Sequence, residues 1–313
     1  MNMILDKAHL TPPDPYPSRK SSEVCILKRC DPVVYSEYDA DCPLTQEQVE
    51  SYDKNGFLML PELFTQEEVA LLTEEMERMR RNPMIAKRKE TITEPESQSV
   101  RSIFSVHQLS PLFSRLATDQ RLMNIIRFIL GDDLYIHQSR LNYKPGFRGK
   151  EFNWHSDFET WHVEDGMPRM RALSASITLT ENFEYNGPLM LVPGSHQYYI
   201  ACVDGTPEDN YKTSLKRQEY GVPDEIALST LVNEGGIATA TGKPGSVILF
   251  DCNTMHGSNS NISPFPRSNA FFVYNAWSNR LETPFSDHQP RPEYIASRQA
   301  TAPLKAGSLT DPS

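Results

Sequence analysis

Three side chains have the types and spacing of a metal site. His155 and Asp157 stand two residues apart in the segment FNWHSDFETWH, and His256 follows 99 residues after Asp157. On an extended strand, residues i and i+2 face the same side, so His155 and Asp157 could bind one metal ion together. Two histidines and one carboxylate leave coordination positions open, which is typical of non-haem Fe(II) oxygenases, whereas a structural zinc site takes four protein ligands.

Two residues beyond His256 could bind an anionic cosubstrate. Arg267 follows a turn-rich stretch that contains Pro264 and Pro266. If the chain forms a hairpin there, the next strand returns past His256, and Arg267 could bind a carboxylate with two parallel hydrogen bonds. Ser258 shares a face with His256 in extended geometry and could add a hydroxyl group.

A predicted strand before the metal ligands has only polar and cationic side chains on one face. They alternate in the sequence HQSRLNYK as Gln138, Arg140, Asn142 and Lys144. Such a face either meets solvent or lines a polar cavity, and the nearby His155 favours the cavity. Metal ligands, Lys144 and Arg267 together predict a pocket for a small acidic cosubstrate. 2-Oxoglutarate fits, because its 2-oxo and C1 carboxylate oxygens can chelate iron while its far carboxylate needs a cation.

The elements that must position these residues are predicted to be helices in the first part of the chain and strands after them. Capping boxes at 45–48 and 65–68 predict two helix starts, and apolar spacing predicts another helix over 112–130. Short β-like runs then recur between turn residues, at 134–143, 173–179, 189–192, 236–240, 247–250 and 270–277. Helices over 45–131 followed by a β core over 134–280 predict a β-rich α+β fold with an antiparallel barrel or jelly roll.

We predict one domain over residues 41–285. Residues 1–40 are rich in Pro, Ser and charge, and we interpret them as an N-terminal arm that is packed on the body or partly disordered. Residues 286–313 form a C-terminal tail, either wrapping or loose. The polar stretch 204–235 breaks the β pattern and is either a surface loop or a lid.

Composition excludes several classes of function. The 31 Lys and Arg against 41 Asp and Glu give a net charge of −10, which disfavours binding to nucleic acids and to anionic lipid. The longest hydrophobic run, 198–203, falls far short of the ~20 residues of a membrane helix, and the N-terminus lacks the pattern of a signal peptide. Five cysteines without a CxxC pair favour reduced thiols in a cytoplasmic protein over a zinc site on Cys25 and Cys30.

The sequence resembles a known enzyme family at these residues. His155, Asp157, His256 and Arg267, with the turns NGPL (186–189) and VPGSH (192–196), resemble the phytanoyl-CoA hydroxylase-like branch of the Fe(II)/2-oxoglutarate dioxygenases. The longer stretch FNWHSDFETWH, continued by EDGMP, is similar to the signature of the ectoine hydroxylases within that branch. The resemblance extends from about Asp14 to about Arg298.

This resemblance implies a double-stranded β-helix (jelly-roll, cupin-like) core flanked by N-terminal helices, usually in a homodimer. It implies hydroxylation of the compatible solute ectoine to 5-hydroxyectoine, with O2 consumed and succinate and CO2 released. The implied Fe(II) ligands are His155, Asp157 and His256. The implied 2-oxoglutarate contacts are Lys144, Ser258 and Arg267, with Asn142 as a helper. The implied ectoine contacts are Gln138, Arg140 and Trp161, where Trp161 could offer its π face to the amidinium and Arg140 could pair with the carboxylate.

Three alternatives stay open from the residues alone. A related 2-oxoglutarate dioxygenase would hydroxylate another small amino-acid-like or cyclic amidine substrate. A non-catalytic cupin-like binding protein would lack some of the metal or cosubstrate contacts. A zinc hydrolase would need a positioned general base, and the sequence has no HExxH motif. The remaining histidines are expected to be structural or exposed, with His196 placed to orient a loop.

Overall fold

The computed structural model describes residues 14–20, 24–93, 99–203, 205–207, 209–214, 221–286 and 288–311. Its helices are α1 (Gln46–Asn55), α2 (Gln66–Arg81), α3 (Pro83–Ala86), α4 (Val106–Leu109), α5 (Pro111–Ala117), α6 (Gln120–Leu130), α7 (Asp157–Asp165), α8 (Tyr211–Ser214) and α9 (Glu225–Gly235). Its strands are β1 (Cys25–Lys28), β2 (Phe57–Leu60), β3 (Thr91–Thr93), β4 (Val100–Phe104), β5 (Leu134–Lys144), β6 (Phe152–His155), β7 (Ala172–Thr178), β8 (Leu189–Leu191), β9 (Tyr198–Ala201), β10 (Ala238–Ala240), β11 (Val247–Asp251), β12 (His256–Ser258) and β13 (Arg267–Ala276).

Side-chain caps define the N-terminal helices. Both predicted capping boxes form, with Thr45 and Thr65 each accepting from the backbone N–H three residues on. The single helix predicted over 112–130 is wrong, because α5 ends at Ala117 and α6 begins at Gln120. Asp119 causes the break, since its carboxylate accepts from the backbone N–H of Arg121 and thereby caps a new helix start.

Two antiparallel sheets form the β-rich core of a jelly roll, as the sequence predicts. The larger sheet has the order β2-β11-β7-β13-β5-β4-β3, and the smaller sheet has the order β10-β8-β12-β6. β13 runs antiparallel to β5 and places Arg267 opposite Lys144. β12 runs antiparallel to β6 and places His256 opposite His155. Register therefore brings residues distant in sequence to the same end of the molecule.

The main hydrophobic core lies between the larger sheet and the N-terminal helices. Leu72 and Met76 of α2 and Ile126 of α6 are buried there against Leu141 and Phe272 of the sheet. Burial of these side chains fixes β5 and β13, whose other faces carry the polar residues predicted to line a cavity. No helix among the described residues is long and apolar enough to cross a membrane.

The two terminal segments pack against the body where they are described. Tyr16 is fully buried with its ring edge on Phe158, and Ile295 and Ala296 are buried in the C-terminal segment. Residues 1–13, 21–23, 287 and 312–313 of the predicted arm and tail lie outside the described residues. The predicted insertion at 204–235 contains α8 and α9, while its residues 204, 208 and 215–220 also lie outside them.

Candidate active site

The three predicted metal ligands meet at one point between the sheets. His155 Nε2 lies 3.7 Å from Asp157 Oδ1, and His256 Nε2 lies 3.9 Å from Asp157 Oδ2. One ligand atom from each residue lies within 4.8 Å of the others. The expectation that His155 and Asp157 share a strand face is wrong, because β6 ends at His155 and α7 begins at Asp157. The two side chains converge across a strand-to-helix turn instead.

Backbone carbonyls fix the orientation of both imidazoles. Nδ1 of His155 lies 2.7 Å from the carbonyl oxygen of Asn153, and Nδ1 of His256 lies 2.9 Å from that of Thr254. A proton on Nδ1 leaves the Nε2 lone pair of each ring directed at the shared point. Burial, together with the neighbouring His256, lowers the pKa of His155 to about 4, which favours the neutral, metal-binding form. Two imidazole nitrogens and one carboxylate fit Fe(II) with an open coordination face.

Two buried basic side chains, Lys144 and Arg267, lie beside this point with the other predicted cosubstrate residues. Lys144 Nζ donates to the hydroxyl of Ser258 at 2.8 Å and to the carbonyl of Asn259 at 2.5 Å. Nε and Nη1 of Arg267 are buried without a hydrogen-bond partner among the described residues. Burial lowers the pKa of Arg267 to about 10. Burial, and then the charge of Arg267, lower that of Lys144 to about 6. Buried cations need anionic partners, so this cluster fits a small dicarboxylate such as 2-oxoglutarate.

A cavity extends from the metal ligands along β5. The side chains of Gln138, Arg140, Asn142 and Trp161 all line it. Arg140 is partly buried, its buried Nε has no hydrogen-bond partner within the described part of the chain, and its guanidinium lies 5.1 Å from the ring centroid of Phe271. The prediction that the alternating polar face of β5 lines a cavity rather than meeting solvent agrees with this placement.

Neighbouring residues constrain the other polar side chains of the cavity. Gln138 donates its amide N–H to the carbonyl of Ile295 at 2.8 Å, and Asn142 accepts from Ser102 at 2.8 Å. The Trp161 ring is packed edge-on against His137, with centroids 5.1 Å apart. Each contact holds a polar or aromatic group at the cavity wall in a defined orientation.

Sequence reasoning did not find all of the cavity wall. The residues it missed are Ser102, Phe104, Phe152, Thr160, Glu164, Asn210 and Arg291. Reading the segment after Asp157 as a helix would have found two of them, because Thr160 and Glu164 follow Asp157 at i+3 and i+7. Arg291 lies in the predicted tail, and no local pattern marks it.

Comparison with known proteins gives consistent matches over nearly the whole chain. The family model of Phytanoyl-CoA dioxygenase (PhyH) matches residues 52–269. The chain is 62% identical to the Ectoine dioxygenase of Bordetella bronchiseptica over 287 residues, which cover 92% of this chain and 93% of that protein. It is 56% identical to the Ectoine dioxygenase of Sphingopyxis alaskensis over 292 residues, which cover 93% of this chain and 95% of that protein.

A solved structure with bound ligands matches equally well. The crystal structure of EctD from S. alaskensis with 2-oxoglutarate and 5-hydroxyectoine aligns with a TM-score of 0.87 at 51% sequence identity. The alignment covers 95% of this chain and 99% of that one. The structure of the same protein with bound Fe gives a TM-score of 0.86 with the same coverage.

Proposed function

The chain belongs to the phytanoyl-CoA dioxygenase (PhyH) family, and we propose on this basis that it hydroxylates ectoine to 5-hydroxyectoine. The enzyme is a non-haem Fe(II)/2-oxoglutarate dioxygenase, which consumes O2 and releases succinate and CO2. One observation carries this proposal. His155, Asp157 and His256 converge beside a cavity and beside buried arginine nitrogens that have no hydrogen-bond partner among the described residues. That convergence supplies both halves of the chemistry, a metal site with an open face and a place for an acidic cosubstrate.

Each group of residues has a separate task in the proposed reaction. His155, Asp157 and His256 hold the iron, which when bound supplies the redox chemistry that couples O2 and 2-oxoglutarate to C–H oxidation. Arg267 and Lys144 bind the carboxylates of 2-oxoglutarate, with Ser258 and Asn142 adding hydrogen bonds.

The remaining wall of the cavity binds and orients the substrate. Arg140 pairs with the carboxylate of ectoine, Trp161 presents its ring to the amidinium, and Gln138 contacts the ring. Trp161 is almost fully buried, and Phe152 lines the same wall, so these aromatic rings keep water away from the reacting carbon.

We also propose that the protein acts in the cytoplasm as a homodimer. All five cysteines are free, which suits a reducing compartment. Light scattering coupled to gel filtration tests the second statement, because a dimer has twice the 35.6 kDa mass of one chain.

Product analysis tests the proposed reaction directly. The purified enzyme is incubated with ferrous iron, 2-oxoglutarate, O2 and ectoine, and the product is identified by NMR. We expect 5-hydroxyectoine and an equal amount of succinate, with Asp157→Ala as the inactive control. Strong succinate release with proline or lysine instead of ectoine would favour the alternative, a related dioxygenase for another amino-acid-like substrate.

A further inference from the structure

One face of α7 forms a continuous wall of the cavity. Asp157, Thr160, Trp161 and Glu164 stand at i, i+3, i+4 and i+7 and all line it. Glu164 lies seven residues beyond the metal ligand Asp157, which corresponds to about 10 Å along the helix axis. Within the described part of the chain, Glu164 is the one carboxylate of the cavity wall that is not a proposed iron ligand.

One oxygen of Glu164 is held by protein partners and the other is not. Oε1 accepts from Arg19 Nη1 at 2.6 Å and from Asn210 Nδ2 at 3.0 Å. No described residue donates a hydrogen bond to Oε2, and the ion pair between Oε2 and Arg291 Nε is long, at 4.0 Å. This oxygen can therefore accept from a ligand in the cavity.

In the ion-pair cluster around Glu164, the paired carboxylates outnumber the guanidiniums that bind them. Three carboxylates face two guanidiniums, namely Glu159, Glu164 and Asp165 against Arg19 and Arg291. Arg19 binds Glu159 through two nitrogens, and Arg291 binds Asp165 in the same way, so both guanidiniums are matched without Glu164. A third guanidinium, that of Arg298, adjoins the cluster and donates to the backbone carbonyls of Asp165 and Glu282, while the carboxylate of Glu293 accepts from the backbone N–H of Arg298.

We propose that Glu164 binds the amidinium of ectoine and selects for a cationic ring, an inference that rests on the function proposed above. Hydroxylation at C5 requires this carbon to face the metal site. In a six-membered ring C2, the carbon of the amidine, lies opposite C5, so the amidinium points away from Asp157 and along α7. Trp161 lies between, where its ring can contact the cation. Arg140 and Glu164 then match the two charges of the zwitterion, and Oε2 of Glu164 gains the donor that it lacks among the described residues.

Glu164→Gln tests this role with little change in shape. The variant removes the charge, while Arg19 keeps both hydrogen bonds to Glu159. Glu159→Gln is the matched control, because this carboxylate belongs to the same buried cluster but does not line the cavity. Binding is measured by calorimetry on the anaerobic enzyme loaded with Fe(II) and 2-oxoglutarate. The ligands are ectoine and pyroglutamate, which also has a ring and a carboxylate but carries an uncharged lactam where ectoine has an amidinium.

We expect Glu164→Gln to weaken ectoine binding at least tenfold, and the preference for ectoine over pyroglutamate to fall by a similar factor. The affinity for 2-oxoglutarate should not change. Glu159→Gln should lower the melting temperature but leave the ectoine affinity within threefold. An unchanged preference in Glu164→Gln, or an equal loss in Glu159→Gln, would overturn the assignment. If the wild-type enzyme binds no ectoine, the proposed function itself fails.

A second variant keeps the test decisive if Glu164→Gln does not fold. Glu164→Asp retains the negative charge on a shorter side chain. It should bind ectoine more weakly than the wild type and still prefer ectoine over pyroglutamate by at least one third of the wild-type ratio. Loss of that preference in the folded aspartate variant would contradict a charge-based role.

Discussion

Removing the guanidinium of Arg267 should have opposite effects on cosubstrate binding and on the stability of the empty enzyme. In the structure this guanidinium is buried, and two of its nitrogens have no hydrogen-bond partner among the described residues. With 2-oxoglutarate bound, the same nitrogens face a carboxylate under the function proposed above. Arg267→Leu therefore removes a cost from the empty state and a favourable contact from the loaded state.

The size of both effects can be worked out from the structure. A fall of the Arg267 pKa from 12.5 to about 10 corresponds to about 3 kcal/mol of cost for the charged group in the empty protein. We expect Arg267→Leu to recover about 1–3 kcal/mol, since the leucine also loses part of the packing of the arginine stem. A bidentate pair to a carboxylate contributes two charge-assisted hydrogen bonds of about 1.5–3 kcal/mol each. Losing them should weaken 2-oxoglutarate binding about 100-fold or more.

Two measurements on one variant check this prediction. Calorimetric titration of the anaerobic Fe(II) enzyme gives the affinity for 2-oxoglutarate, and urea denaturation without metal or cosubstrate gives the free energy of unfolding. Pyruvate, a 2-oxo acid without the far carboxylate, is the ligand control and should bind the variant as it binds the wild type. Arg267→Lys is the variant control, because it keeps the charge but loses the bidentate geometry. Its affinity for 2-oxoglutarate should lie between those of the wild type and Arg267→Leu.

The reasoning is refuted by either of two results. One is 2-oxoglutarate binding to Arg267→Leu within threefold of the wild type. The other is a variant that unfolds more readily than the wild type in the empty state, because Arg267 would then stabilise the fold through contacts of its own. A loss of pyruvate binding equal to the loss of 2-oxoglutarate binding would show that Arg267 does not act on the far carboxylate.

Three further predictions concern other parts of the site and its support. Burial lowers the pKa of Lys144 to about 6, so this amine is mostly neutral near pH 8 when no cosubstrate is bound. Binding of 2-oxoglutarate should therefore take up protons and should weaken as the pH rises from 6 to 9. Calorimetry in buffers of different ionisation enthalpy measures the proton uptake, which should be absent in Lys144→Met. His155→Ala should abolish iron binding, measured by metal analysis, while circular dichroism stays unchanged; retained iron would exclude His155 as a ligand. Gly56→Ala should lower the free energy of unfolding by more than about 1 kcal/mol in urea denaturation, because the new Cβ would lie 2.4 Å from His196 Nδ1. Gly194→Ala is the control and should lower it less, because Gly194 has a similar positive φ but no close neighbour at the Cβ position.

The three candidate metal ligands, which the structure brings together, could be singled out from the sequence because their chemistry is specific. Two histidines and a carboxylate are an uncommon set of residues in one pocket, whereas the pairing that places His256 opposite His155 became visible only in the structure. The alternation along β5 was equally informative, since a period of two is unambiguous in an 11-residue strand. In both cases a local pattern determined which way side chains point.

Helix α7 could not be predicted in the same way. Seven of its nine residues are buried, so it lacks the amphipathic stripe by which a surface helix is identified from sequence. Its burial depends on Arg19 and Arg291, which come from opposite ends of the chain and which no local pattern connects. The contribution of Glu164 to the cavity was missed for this reason.

The terminal segments limit how the enzyme can be re-engineered. Arg19 and Arg291 contact the helix that carries a metal ligand, and the backbone of Leu304 donates to Leu134 at 2.8 Å at the start of β5. Trimming inward past Tyr16 or cutting before Arg298 would therefore disturb catalysis as well as folding. Attachment to a solid carrier is better made through the solvent-facing side of α2, where the exposed Arg81 pairs with the partly exposed Glu77 and neither residue lines the cavity.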